Sequence, residues 1–198
     1  PKGVAVEQQQ SYERFKIARE FEVQRVLDAD AIGSAIAIAF NEFGQLLVSQ
    51  EGGPLEIVSF DESGKPGDPR VCCDLVSSCQ GILPLNGNVF VTGQGQEGLG
   101  IYLLKDEDRD GTFEDAKRVL PFEGGLGEHG PHGLALGPDG KVYCTVGNHS
   151  GYAGDYAPSS PVNQFYEGDL IQPKYEDPSG HANGIKAPGG VILRMDLD

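Results

Sequence analysis

Leu134-Ala135-Leu136-Gly137-Pro138-Asp139-Gly140-Lys141-Val142-Tyr143-Cys144 reads as a single β-hairpin. One apolar run halts at Pro138-Asp139-Gly140, and a second run starts directly behind it. Asp-Gly and Asn-Gly between apolar runs are strong hairpin signals, because both residues tolerate positive φ. The same unit occurs twice upstream. Ile36 to Phe40 is followed by Asn41-Glu42-Phe43-Gly44 and then Leu46-Leu47-Val48, while Ile82-Leu83 is followed by Asn86-Gly87 and then Val89-Phe90-Val91. Each unit continues into another β-rich run that ends in an aspartate: Leu55 to Phe60 with Asp61, Ile101 to Leu104 with Asp106, and Val191 to Met195 with Asp196. The turn glycines Gly44, Gly87 and Gly140 stand 43 and 53 residues apart.

A period of ~40–50 residues built from short strands marks the blades of a β-propeller. The alternation at Ile36, Ile38 and Phe40 fits a strand with one buried face. A β-sandwich also yields many short strands, and the repeated unit is what favours the propeller. The expected fold is all-β, a propeller of the six-bladed type. Three units are recognisable, and an opening strand at Phe21 to Leu27 contributes to a fourth. Six blades of ~45 residues need roughly 270 residues, so the expectation is an incomplete ring of about three to four blades. Residues 1–20 read as a polar lead-in segment or a short helix, and 21–198 as the partial propeller. Within it, 147–189 forms a long insertion rich in Gly, Pro, Asn, Asp and Ser. Loops of that length in a compact domain are functional or disordered.

Composition agrees with many tight turns: 29 Gly and 13 Pro among 198 residues, with 38% hydrophobic content and no Trp. No apolar run is long enough to span a membrane. The first residues carry no basic region followed by an apolar stretch, so no signal peptide is expected in this sequence. The net charge of −15 argues against nucleic acid or anionic lipid as partner, and suits neutral or cationic ligands or a divalent metal. The four cysteines, Cys72, Cys73, Cys79 and Cys144, show no CxxC spacing. Cys144 reads as a buried free thiol, and Cys72 or Cys73 could bridge to Cys79 in an oxidising compartment.

Two stretches carry chemistry. All four histidines, His129, His132, His149 and His181, fall between residues 129 and 181. The segments before and after the strand of the third unit meet at one end of a blade, so these imidazoles become candidates for catalysis or ligand binding. The second stretch is Asp106-Glu107-Asp108-Arg109-Asp110-Gly111-Thr112. Alternating aspartates before a glycine form the front of a calcium loop. Asp106, Asp108 and Asp110 would converge on the ion, Thr112 would offer its backbone carbonyl, and Glu114 or Asp115 would close the shell. The twelfth position, where an EF-hand carries Glu, is Lys117. Gly93-Gln94-Gly95 opens no helix and no lysine closes it, so a phosphate loop is not supported; nor is there a Gly-x-Ser-x-Gly elbow.

Glu128-His129-Gly130-Pro131-His132-Gly133-Leu134-Ala135-Leu136-Gly137-Pro138-Asp139-Gly140 resembles the glucose/sorbosone dehydrogenase type of six-bladed propeller, in its membrane-bound dehydrogenase branch. Tyr166-Glu167-Gly168-Asp169-Leu170, His181 and Lys186-Ala187-Pro188-Gly189-Gly190 are similar to the same branch. The resemblance implies a periplasmic or exported oxidoreductase that oxidises sugars or other alcohols with pyrroloquinoline quinone (PQQ), aided by Ca2+. It also implies a catalytic His eight residues before the residue that opens the Pro-Asp-Gly turn. Counting back from Gly137 this is His129, with His132 competing. Asn148, His149, His181 and Lys186 are then substrate- or cofactor-binding candidates. Asn148 stands where the family has Asp. The expected partners are a small sugar or alcohol and a cytochrome c electron acceptor. Two alternatives stand beside this reading: a non-catalytic propeller that binds glycans or proteins, and a calcium-dependent lactonase-like hydrolase.

Overall fold

The computed structural model describes residues 15–164 and 190–196. They form three antiparallel sheets that succeed one another along the chain. The first contains β1 (Ala35–Phe40), β2 (Leu46–Gln50), β3 (Leu55–Val58) and β4 (Arg70–Cys73), in that order. The second repeats the pattern with β5 (Val76–Leu85), β6 (Asn88–Gly95), β7 (Gly98–Lys105) and β8 (Asp115–Gly124). The third starts with β9 (Pro131–Leu136) and β10 (Val142–Val146). Before completing it, the chain returns to the second sheet, where β11 (Ser150–Tyr152) pairs with Phe122–Gly124 of β8. Then β12 (Val191–Met195) pairs with β10, Cys144 opposite Leu193. This is a partial β-propeller. Helix among the described residues is limited to one turn at Ala29–Ile32 and a 3-10 turn at Pro161–Gln164.

The turns form where the sequence places them. Asn86 and Gly87 adopt φ of 55° and 78° and join β5 to β6 in a two-residue hairpin. Asn41–Gln45 and Gly137–Lys141 close alike, the first N–H donating to the fifth carbonyl at 2.9 and 2.8 Å. The Asn41 side chain caps its turn by accepting from the N–H groups of Phe43 and Gln45.

Packing follows the period of two. From β6, Val89 and Val91 point to the first sheet and Phe90 to the third. One core, between the first and second sheets, gathers Leu47, Leu55, Ile57, Val76, Tyr102 and Leu104. Another, between the second and third, gathers Leu99, Ile101, Phe122, Cys144 and Val146. The second sheet is thus covered on both faces, with β5 packed against β1 on one side and β9 on the other. Strands β1, β5 and β9 are the edge strands from which each sheet starts.

The opening strand expected at Phe21 to Leu27 does not form. Its apolar residues do not keep a strict alternation, and Leu27, with Ile32, instead covers the outer face of the first sheet over Leu46, Val48 and Val58. No bridge joins Cys72 or Cys73 to Cys79; all four cysteines are buried free thiols. Residues 15–20 of the lead-in form no helix, and residues 1–14 lie outside the described residues.

Candidate active site

Antiparallel pairing of β9 with β10 sets Pro131 opposite Val146, so the residues just before β9 meet those just after β10. The backbone continues the ladder beyond the strands. The Gly147 N–H donates to the Gly130 carbonyl at 2.7 Å, and the His149 N–H to the His129 carbonyl at 3.0 Å. A Cβ at Gly147 would lie 2.3 Å from the His129 carbonyl oxygen, so only glycine admits this approach. The Ser150 hydroxyl donates to the Gly125 carbonyl at 2.7 Å and anchors the loop from its other side.

Three of the predicted side chains come together on this frame. His129 Nδ1 is 2.7 Å from Asn148 Oδ1. The His129 and His149 rings stack with centroids 4.4 Å apart and planes inclined by 26°. On the other edge of the ring, His129 Nε2 lies 3.6 Å from a Glu128 carboxylate oxygen. An amide oxygen only accepts, so Nδ1 carries the proton of the neutral ring, and Nε2 carries its lone pair. The His129 side chain keeps about a quarter of its surface exposed (26%).

His132 is held apart from this trio. Its Nε2 lies 3.0 Å from the Glu128 carbonyl oxygen, and its own carbonyl accepts from the Thr92 hydroxyl at 2.9 Å. It lines a cleft of about 410 Å³ together with Ile36, Glu51, Gln80, Gly127 and Glu128. Ile36, Gln80 and His132 come from β1, β5 and β9, the first strands of the three sheets. Ile36 and His132 each stand eight residues before a turn glycine, Gly44 and Gly140, and Gln80 stands seven before Gly87, where the turn is shorter. That near-equal spacing is a faint trace of Gln80 in the sequence, which gives it no motif of its own. His181 and Lys186 lie outside the described residues.

The acidic loop joins β7 to β8. Carboxylate oxygens of Asp106, Asp108, Asp110 and Glu114 all lie within 4.8 Å of one another. Asp115 is not in this group; it opens β8 opposite Lys105. Asp106 accepts from the Asp110 and Gly111 N–H groups at 3.1 and 2.8 Å, which winds the loop around its acids. The Thr112 hydroxyl and N–H, with Arg70 nearby, hold the Asp110 carboxyl below its usual range. Arg70 donates to the Asp110 carbonyl at 2.9 Å and the Thr112 hydroxyl at 3.3 Å. This loop borders a different cleft, of about 380 Å³, shared with the Asn41–Gln45 turn. The thiols offer no nucleophile: burial pushes Cys72 and Cys144 up to about 12, and Cys79 upward too.

Residues 7–171 match the family described as Domain of unknown function (DUF7133). The chain belongs to that family. No curated protein matches it. Among solved structures it is similar to the holo form of the pyranose dehydrogenase PQQ domain from Coprinopsis cinerea, at 14% identity and a TM-score of 0.47. That likeness covers 58% of this DUF7133 chain and 28% of the other.

Proposed function

We propose that this chain carries the proton-abstracting part of a dehydrogenase acting on sugars or other alcohols. The observation that carries the reading is the 2.7 Å contact between His129 Nδ1 and Asn148 Oδ1. It fixes the tautomer in which Nε2 can accept a proton, the requirement for a general base near neutral pH. Oxidation of a hydroxyl removes two hydrogens. The hydroxyl proton passes to His129 Nε2, where the Glu128 carboxylate at 3.6 Å stabilises the imidazolium. The carbon-bound hydrogen, with its electron pair, must go to a separate two-electron oxidant, so the described residues account for the proton transfer alone. Hydroxyl groups of the substrate find acceptors in the adjoining cleft, in the carboxylates of Glu51 and Glu128.

PQQ is the acceptor that the sequence resemblance implies, and it bears three carboxylates. The cleft is lined by two carboxylates and by neither lysine nor arginine. The described residues therefore do not fit PQQ, and none of the steps above passes through it. Within the same proposal, Ca2+ binds at Asp106, Asp108, Asp110 and Glu114, the intact protein is periplasmic or exported, and its electrons pass on to a cytochrome c.

The test is turnover of the intact natural protein with sugars or alcohols, calcium and a dye acceptor, measured with and without added PQQ. His129→Gln should lower turnover by ~10²–10⁴-fold with folding unchanged. Loss confined to His132→Gln would transfer the role to His132. Full turnover in both variants would remove this site from the reaction and favour a propeller that only binds.

A further inference from the structure

We propose that the substrate of this site carries a positive charge: it is an amino sugar or amino alcohol whose ammonium group is held by Glu51 and Glu128 in the cleft that His132 lines. The inference rests on the reading of that cleft as the substrate's place, and it adds the class of substrate.

Charge is sorted along the strands. The turns ending in Gly44, Gly87 and Gly140 mark one end of the sheets, and the His129 loop marks the other. Register places Arg70 opposite Ile57, Lys105 opposite Asp115 and Arg194 opposite Tyr143, all toward the turn end. Lys65, Arg109 and Lys141 stand at that end too, in its loops. Glu51, Asp74, Glu97, Glu123 and Glu128 stand at the histidine end, in its loops or at the ends of its strands. Among the described residues of the sheets and their turns, Arg118 alone brings a cation there. It is already engaged, donating to the Glu97 carbonyl and lying 3.8 Å from the Glu97 carboxylate. A ligand approaching the cleft therefore meets an excess of negative charge, which draws cations and repels anions. The misfit with the tricarboxylate PQQ has the same origin.

The groups lining the cleft narrow the ligand further. In the orientation that satisfies its surroundings, the Gln80 amide donates to the Gly127 carbonyl and accepts from the Gly127 N–H, both at 3.2 Å. His132 Nε2 is 3.0 Å from the Glu128 carbonyl. Two carboxylates remain. Glu51 has no ion-pair partner among the described residues, and Glu128 faces only His129 Nε2, at 3.6 Å. A carboxylate only accepts, so it favours a ligand rich in donors, and an ammonium group offers three donors with the opposite charge. The two acids come from different sheets, Glu51 following β2 and Glu128 preceding β9. The turn that carries Glu51 is fastened to the second sheet: the Gly52 N–H donates to the Ser78 hydroxyl at 2.7 Å, and the Ser78 N–H to the Gly53 carbonyl at 3.0 Å. Ile36, partly exposed beside them, offers apolar surface to a carbon skeleton. The cleft of about 410 Å³ thus joins an anionic, acceptor-rich lining to an apolar patch, next to the proposed base.

Calorimetric binding to the intact protein, with no oxidant present, tests this. Glucosamine, glucose and glucuronate share one ring and differ in charge. At about pH 6 the amine is a cation and the carboxylates are anions. At low ionic strength glucosamine should bind about 10-fold more tightly than glucose, since each exposed carboxylate contributes a few-fold. Glucuronate should bind more weakly than glucose. Raising the ionic strength from about 0.01 to 0.15 M should shrink the spread. Glu51→Gln should cut the preference for glucosamine to about 3-fold, and Glu51→Lys should place glucuronate ahead of glucosamine. Glu62→Gln removes the same charge at the turn end of the first sheet and should leave the preference intact, which separates the cleft from the net charge. Glucosamine that binds no better than glucose, or not at all, would overturn the proposal. So would a preference that persists undiminished in Glu51→Gln and Glu51→Lys. His129→Gln should keep the preference while losing turnover, so failure of the base and failure of the substrate class are told apart.

Discussion

At the scale of single residues, the site depends on which nitrogen of each imidazole is committed. His129 commits Nδ1 to Asn148, and His132 commits Nε2 to the Glu128 carbonyl. Two histidines three residues apart therefore present opposite nitrogens, although the sequence shows them as near equivalents. Asn148 is neutral, so it selects a tautomer without adding charge; Glu128 is the group that supplies charge, on the other edge of His129. Asn148→Ala should consequently let the ring exchange tautomers and rotate, lowering turnover of the intact protein by about 10-fold, less than loss of the base itself. Unaltered turnover in Asn148→Ala would show that the ring is oriented by its stack on His149. The cluster of histidines was legible in the sequence because four of them share one region. Their partners were less so: Glu128 was visible only as a neighbour, and Gln80 and Glu51 are ordinary polar residues until three sheets bring them to one cleft.

At the scale of elements, what could be read from the sequence was what is local. The hairpin at Asn86-Gly87 and the turns ending in Gly44 and Gly140 announce themselves, because positive φ restricts the residue type. The outer strands β4 and β8 do not. Arg70–Cys73 is too short to show a period, and Asp115–Gly124 mixes charge with Pro121, as suits a strand near a sheet edge. Strand β11 was invisible because its partner belongs to the preceding sheet, and no local pattern encodes a distant pairing. The turn before β10 also carries a titratable link. Arg194 of β12 donates to Asp139 at 2.8 Å and, with help from the Tyr143 hydroxyl and the Lys141 N–H, lowers the Asp139 carboxyl to about 2. A depressed carboxyl adds stability that is fully present above its unfolded value of ~3.9 and disappears as pH falls through the folded value. The melting temperature should therefore fall between about pH 4 and 2, and Asp139→Asn should make that fall shallower; an identical acid limb in the variant would show the link contributes nothing. Asp61 and Asp110, also lowered, act in the same direction, so the limb will not vanish. The acidic loop before β8 gives a companion test. Calcium at millimolar concentration should raise the melting temperature, and Asp108→Ala should abolish the rise. A wild-type curve that calcium leaves unmoved would reduce the loop to a solvated turn in which Arg70 already balances the acids.

At the scale of the whole molecule, the two faces of the first sheet differ. One is sealed against the second sheet through Leu47, Leu55 and Ile57. On the other, Leu27 and Ile32 shield only Leu46, Val48 and Val58, and leave Ile38, Phe40 and Phe43 64%, 62% and 67% exposed. In a propeller such a face stacks on a neighbouring sheet, and among the described residues β1 is also an unpaired edge of its own sheet. Isolated apolar residues on a surface are ordinary, whereas neighbours on one strand and its turn, next to an open edge, favour association. Opposing this, a net charge of −15 makes two copies repel. The balance is set by salt, because a Debye length of ~30 Å at 0.01 M shrinks to ~8 Å at 0.15 M while apolar contact is unaffected by screening. The 198-residue chain should therefore sediment as a monomer at low ionic strength and gain mass with concentration as salt is added. Ile38→Lys, placing a charge in the middle of the face, should restore the monomer at every salt concentration. Mass that stays monomeric in the wild type at high salt, or that grows equally in Ile38→Lys, would show that this face does not drive association.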